Sequence, residues 1–99
     1  MIRLEEFTTY TFEFDYRVME MPKNNSGVPG YFYFLCRSKR LGYSYDKGYA
    51  QFGANDRLGA VYHKSFTVTT GMADDYYFIL GMFYVGEIIV DNVKITKVN

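Results

Sequence analysis

Tryptophan is absent from this chain of 99 residues, and cysteine and histidine occur once each. Cys36 has no second thiol to pair with, which excludes an internal disulfide. Placed between Leu35 and Arg37 at the end of the apolar run Tyr31 to Cys36, it reads as a small buried hydrophobe. A lone histidine, His63, excludes zinc sites built from histidine and cysteine clusters. No nucleophile motif surrounds Ser38, Ser44 or Ser65 for it to serve as a base, and it reads as an exposed strand residue. Eleven basic and eleven acidic residues cancel, so no global field draws the chain to nucleic acid or to an anionic membrane. No apolar stretch reaches the roughly 18 residues that a membrane-crossing helix needs. Arg3, Glu5 and Glu6 precede any hydrophobic segment, so the chain shows no signal-peptide pattern of its own.

Paired carboxylates are also scarce. Glu5-Glu6 and Asp74-Asp75 are sequence neighbours, and neighbours on a strand point to opposite faces, whereas glycosidases need two carboxyls facing across a cleft. No enzyme signature emerges. The basic cluster Arg37, Lys39 and Arg40 is short and reads as a solvated turn. Asn24-Asn25-Ser26 fits the glycosylation acceptor pattern, a match that is frequent by chance.

Aromatic side chains are abundant. They make up 20% of the chain, with 11 tyrosines and 9 phenylalanines, and with valine and threonine they dominate over helix formers. No stretch carries a helical period, which favours an all-β fold. Strands are predicted at Tyr10 to Val18, Tyr31 to Arg37, Val61 to Thr70, Asp75 to Gly81 and Glu87 to Val98, with shorter ones around Gly42 to Tyr45 and Tyr49 to Phe52. The first has Tyr10, Phe12, Phe14, Tyr16 and Val18 on its core face and Thr9, Thr11, Glu13, Asp15 and Arg17 on its wet face. In Tyr31 to Arg37, Phe32, Phe34 and Cys36 are opposed by Tyr31, Tyr33 and Leu35, so that strand is covered on both sides or displays aromatics. Met21 to Gly30, rich in Pro, Asn and Gly, reads as a long loop. Gly71 to Asp74 and Gly81 to Gly86 are hairpin-sized, which predicts an antiparallel meander for the last three strands.

The final run has a phase defect. Ile88 and Val90 stand at even positions and Val93 and Ile95 at odd ones, so a regular strand would send the two pairs to opposite faces. A bulge at Asp91-Asn92 restores the phase.

The endings "FTV", "DDYYFILG" and "GEIIVDNVKIT", with the earlier "TTYTFEFDYRV", resemble jelly-roll carbohydrate-binding modules of families 4, 9 and 22. The matches cover a little under half of the chain. The usual first strand of that pattern, with its buried Trp, has no counterpart here. The resemblance implies an antiparallel β-sandwich of jelly-roll type, a single domain over residues 1–99 that is a module or fragment of a larger protein, working at the cell surface or outside the cell. It also implies a structural calcium site in which Asp91 is a ligand, with Glu5 or Glu6 as helpers if the N-terminus runs beside the last strand. The alternative is that Asp91 bonds the amides of its own bulge.

Tyr43, Tyr45 and Tyr49 sit in the polar, glycine-rich segment GYSYDKGYAQFGANDR, where no apolar pattern buries them. Flat phenol rings suit the C–H faces of sugars, and neighbouring polar groups can fix sugar orientation. The expected function is non-catalytic binding of a polysaccharide in a groove lined by Tyr33, Tyr43, Tyr45, Tyr49, Arg57 and Tyr84. The alternative is a structural or adhesive β-sandwich acting by protein contacts, such as a phage tail or baseplate appendage. Without the first strand of the pattern, a sheet edge is left open to homo-oligomerisation.

Overall fold

A computed structural model describes residues 2–42 and 46–98. The described chain forms seven strands and no helix: β1 (Ile2–Leu4), β2 (Thr9–Lys23), β3 (Tyr31–Ser38), β4 (Lys47–Phe52), β5 (Tyr62–Thr69), β6 (Asp74–Phe83) and β7 (Val85–Val98). They assemble into a four-stranded sheet ordered β1-β6-β3-β4 and a three-stranded sheet ordered β5-β2-β7. Every pairing is antiparallel. The all-β antiparallel sandwich expected from composition is what forms, and its strand order is compatible with a jelly roll.

Strand β2 organises the core. Tyr10, Phe12, Phe14, Tyr16 and Val18 alternate inward and are buried, while their odd-numbered neighbours line the outside. Across the sandwich, Phe32, Phe34 and Cys36 of β3 are equally buried. Between the sheets the rings stack. Phe34 lies 4.5 Å from Phe66 with parallel planes, and Phe12 lies 4.9 Å from Phe78. Aromatic contacts of this kind add to the burial of a large apolar area per ring. Burial also pushes the Cys36 thiol up to about 12, with Asp46 contributing, so the group stays protonated.

The expected meander does not form. β5 and β7 both pair with β2, whereas β6 lies in the opposite sheet between β1 and β3. The two hairpin-sized segments therefore cross from one sheet to the other. At the first crossing, buried Thr70 is tied to the β1–β2 loop: its amide donates to Thr8 O (2.9 Å), its hydroxyl donates to Glu5 O, and Phe7 N donates to Gly71 O (2.7 Å). These bonds hold the chain end across the sandwich instead of letting it fold back in the plane. The expected loop from Met21 is shorter than read, because β2 continues to Lys23 against Val85. β1 is an element that the alternation does not announce. Of the strand expected at Gly42 to Tyr45, Gly42 is not in a strand and the rest lies outside the described residues.

The phase defect of β7 resolves as expected. Glu13 pairs with Lys94 but Asp15 pairs with Asp91, so β7 gains a residue between them. Asn92 takes a left-handed backbone, with φ of 53°. Ile88, Val90 and Ile95 then all stand opposite inward residues of β2, namely Val18, Tyr16 and Phe12.

Candidate functional site: an aromatic face on the four-stranded sheet

The odd-numbered residues of β3 point away from the core. Tyr31 and Tyr33 stand there with rings 6.2 Å apart, edge to face. On β6, Phe83 pairs with Tyr31, and the two rings stack at 5.4 Å with 7° between their planes. On β4, Tyr49 stacks on Tyr33 at 5.9 Å. Tyr84 adjoins Phe83 at 4.4 Å. Five rings thus form one continuous patch across three strands. Tyr49 is 52% exposed, Phe83 47% and Tyr84 39%.

Two local features shape the patch. Tyr33 pairs with Gly81, and its ring covers the space a side chain would need there: a Cβ at Gly81 would stand 2.5 Å from Tyr33 Cζ. The Tyr49 phenol lies beside Tyr31. The Tyr49 hydroxyl first, with desolvation second, raises the Tyr31 phenol above its ordinary value. Tyr84 reaches the patch from a strained position between β6 and β7, with φ of 71°.

Polar groups border the rings. Gln51 Nε2 donates to the Tyr49 hydroxyl at 3.4 Å. Further along β3, Arg37 clasps Asp46 with two bonds, Nε to Oδ1 at 2.8 Å and Nη2 to Oδ2 at 2.9 Å. Arg37 is thus one half of an ion pair rather than part of a free basic turn.

Of the residues singled out in the sequence, Tyr33, Tyr49 and Tyr84 come together in this patch. Tyr43 and Tyr45 lie outside the described residues. Arg57 sits in the β4–β5 loop, where its amide donates to the Tyr62 hydroxyl at 3.0 Å. The adjacent Asp56 accepts from the Tyr16 hydroxyl, and burial first, then Asp56, raises the Tyr16 phenol well above its ordinary value. These contacts attach that loop to the three-stranded sheet. Tyr31 and Phe83 are the members that sequence reasoning did not select. The alternation of β3 offered Tyr31, since it shares a face with Tyr33.

Asp91 lies on the other sheet, in a cleft of about 240 Å³ lined with Asp15, Tyr16, Arg17, Val61, Ile89 and Asn92. Its Oδ1 accepts from Asn92 N at 2.8 Å, the bulge-bonding alternative. Glu5 is engaged elsewhere, by Lys97, near the C-terminal end of β7. Asp15 is held below the usual carboxylate range by Asn92 first and His63 second. Among the described residues no three His, Cys, Asp or Glu side chains gather as metal ligands. A calcium ion asks for roughly six to eight oxygens, and the residues around Asp91 do not fit one.

Comparison of the chain with protein-family models, with curated proteins and with solved structures found no match.

Proposed function

We propose that this protein is a non-catalytic carbohydrate-binding module that takes a polysaccharide on the aromatic face of its four-stranded sheet. The observation that carries the reading is the continuous patch of Tyr31, Tyr33, Tyr49, Phe83 and Tyr84 on one sheet face, with Tyr49, Phe83 and Tyr84 exposed and Tyr31 and Tyr33 half-buried. Exposed apolar patches of this kind mark interaction sites. Rings held by a sheet lose little entropy on binding, and phenol hydroxyls can bond to sugar hydroxyls while the ring faces cover the sugar C–H groups. The open, shallow shape suits an extended chain better than a small molecule, which asks for a concave pocket. Such a module works outside the cell, carried by a larger secreted or surface protein.

The test is affinity electrophoresis against a panel of soluble polysaccharides, with the double variant Tyr33→Ala, Tyr49→Ala as control. Retardation on at least one polymer that the variant loses supports the reading. Free migration on every polymer overturns it. A second reading, an adhesive or structural sandwich working by protein contacts, draws on the apolar residues left exposed along β7: Val85, Ile89, Val93 and Val98.

A further inference from the structure

β7 is an edge strand. It pairs with β2 on one side, and no described strand pairs with its other side. With 14 residues it is far longer than the other edges, β1 with 3, β4 with 6 and β5 with 8. Natural proteins usually shorten, cover or charge an edge of that length, and β7 carries Glu87, Asp91, Lys94 and Lys97 as well as its bulge. Here the inner face of β7 is left partly bare. Val93 is 54% exposed although it follows the inward alternation. Beside it, a cavity of about 320 Å³ opens between the sheets, lined by Ile2, Phe12, Tyr76, Phe78, Leu80 and Ile95 as well as Val93. The three-stranded sheet is one strand narrower than the sheet it faces, and the uncovered apolar surface lies where a fourth strand would run.

We infer that a second copy of this chain supplies that strand: β7 of two copies pairs antiparallel about a two-fold axis, giving one continuous sheet ordered β5-β2-β7-β7-β2-β5. The bulge selects the register. Inward residues are even before it (Ile88, Val90) and odd after it (Val93, Ile95), so only alternate registers bring inner face beside inner face. Setting Val90 opposite Ile95 of the partner subunit places Asp91 opposite Lys94 of the partner subunit, and the two-fold repeats that ion pair on the far side of the axis. Both side chains are exposed and stand on the outer face with Glu13 and Asp15 of β2. Sliding one copy by two residues, the smallest shift that keeps the inner faces together, sets Asp91 against Asn92 or Thr96 and loses both pairs. Opposite charges directly across a strand pair stabilise it, and like charges there disfavour it. A bulge ordinarily twists an edge away from a straight partner. In this register it meets the same bulge in the other copy, and the paired stretch runs from Glu87 to Val98.

This surface belongs to the sheet opposite the aromatic face, so the dimer and the glycan reading stand or fall separately. The test is sedimentation of the full chain from about 1 μM to about 1 mM, a range that covers weak self-association. The expected mass is twice that of the 11.6 kDa chain at the upper concentrations. Asp91→Lys and Lys94→Asp should each weaken the dimer at least about tenfold by setting like charges face to face, and the double swap should restore it. Lys94→Asp leaves the bulge bonds of Asp91 in place, so it decides the matter alone if Asp91→Lys unfolds. A monomer throughout the range overturns the proposal, including the case in which a different polypeptide supplies the strand. A dimer indifferent to Lys94→Asp overturns it equally.

Discussion

Tyr33 and Gly81 compete for one volume. They are cross-strand partners on β3 and β6, and the ring of Tyr33 occupies the place above Gly81 where a Cβ would come within 2.5 Å of the phenol oxygen. Glycine inside a strand weakens it in its own right, by lost side-chain packing and by entropy, and often marks a place where another group must approach closely. At Gly81 the approaching group is the central ring of the aromatic face. Gly81→Ala is therefore expected to leave the strand intact and to displace Tyr33 from its contacts with Tyr31 and Tyr49. Polysaccharide affinity should fall about tenfold, while the melting temperature stays within about 5 °C of the parent. Affinity electrophoresis and a thermal melt on the same sample check both halves; unchanged retardation would remove Tyr33 from the site.

The Tyr31–Tyr49 contact gives a spectroscopic handle on the same face. Burial raises the phenols of Tyr16 and Tyr76, and because the Tyr49 hydroxyl raises the Tyr31 phenol, Tyr31 should also ionise at higher pH than an ordinary phenol. Tyr49→Phe should bring that ionisation back down. Alkaline difference spectroscopy of the two proteins, run where both remain folded, measures the change. Superimposable titration curves would show that the two hydroxyls do not meet.

Much of this architecture is legible in the residue order, and the reason differs from part to part. The alternation in β2 states which face is core because one face meets another sheet and the other meets water. The bulge at Asp91-Asn92 is legible from a parity change alone, since strands tolerate no other way of keeping Ile88, Val90 and Ile95 inside. The crossings before and after β6 are not legible, because a connection of a few residues can turn within a sheet or pass between sheets. The difference lies in distant partners such as Thr8 and Glu5, which bind Thr70. β1 escapes notice because three residues carry no period. The aromatic site is half legible: the tyrosine excess marks it, but its assembly from β3, β4 and β6 depends on register, which brought in Phe83 and left Arg57 with Tyr62.

Asn92 should tolerate alanine poorly although its side chain is exposed. Its left-handed backbone costs an ordinary L-residue about 1–2 kcal/mol, a cost that asparagine bears more easily and glycine avoids. Its side chain also donates from Nδ2 to Asp15 Oδ2 at 2.8 Å, joining the bulge to β2. Asn92→Ala should lose about 1–2 kcal/mol of stability, and Asn92→Gly less, because only the side-chain bond goes. Urea denaturation of the three proteins should rank them Asn, Gly, Ala. An alanine variant as stable as the parent would mean that the bulge relaxes into the ordinary β region.

Acid should unfold the protein in part through Asp74. This buried residue begins β6, where the Ser38 hydroxyl at the end of β3 donates to it and Arg40 N donates at 3.0 Å. Ser38 Oγ in turn accepts from Leu41 N at 3.1 Å, so one carboxylate organises the turn that leaves β3. The Ser38 bond first, then the Arg40 amide, lower the Asp74 carboxyl to about 2 from an ordinary 3.8. A carboxyl whose folded value is depressed binds protons more readily in the unfolded chain. Its stabilising contribution is therefore complete above about pH 4 and disappears as pH falls through about 2. Asp74→Asn removes the ionisable group and should flatten the stability profile between those limits. It should also lower the neutral melting temperature by roughly 5 °C, since a neutral amide accepts more weakly from Ser38 and Arg40. Urea midpoints measured across the acid range for both proteins decide the point: parallel profiles would mean that other carboxyls carry the acid transition.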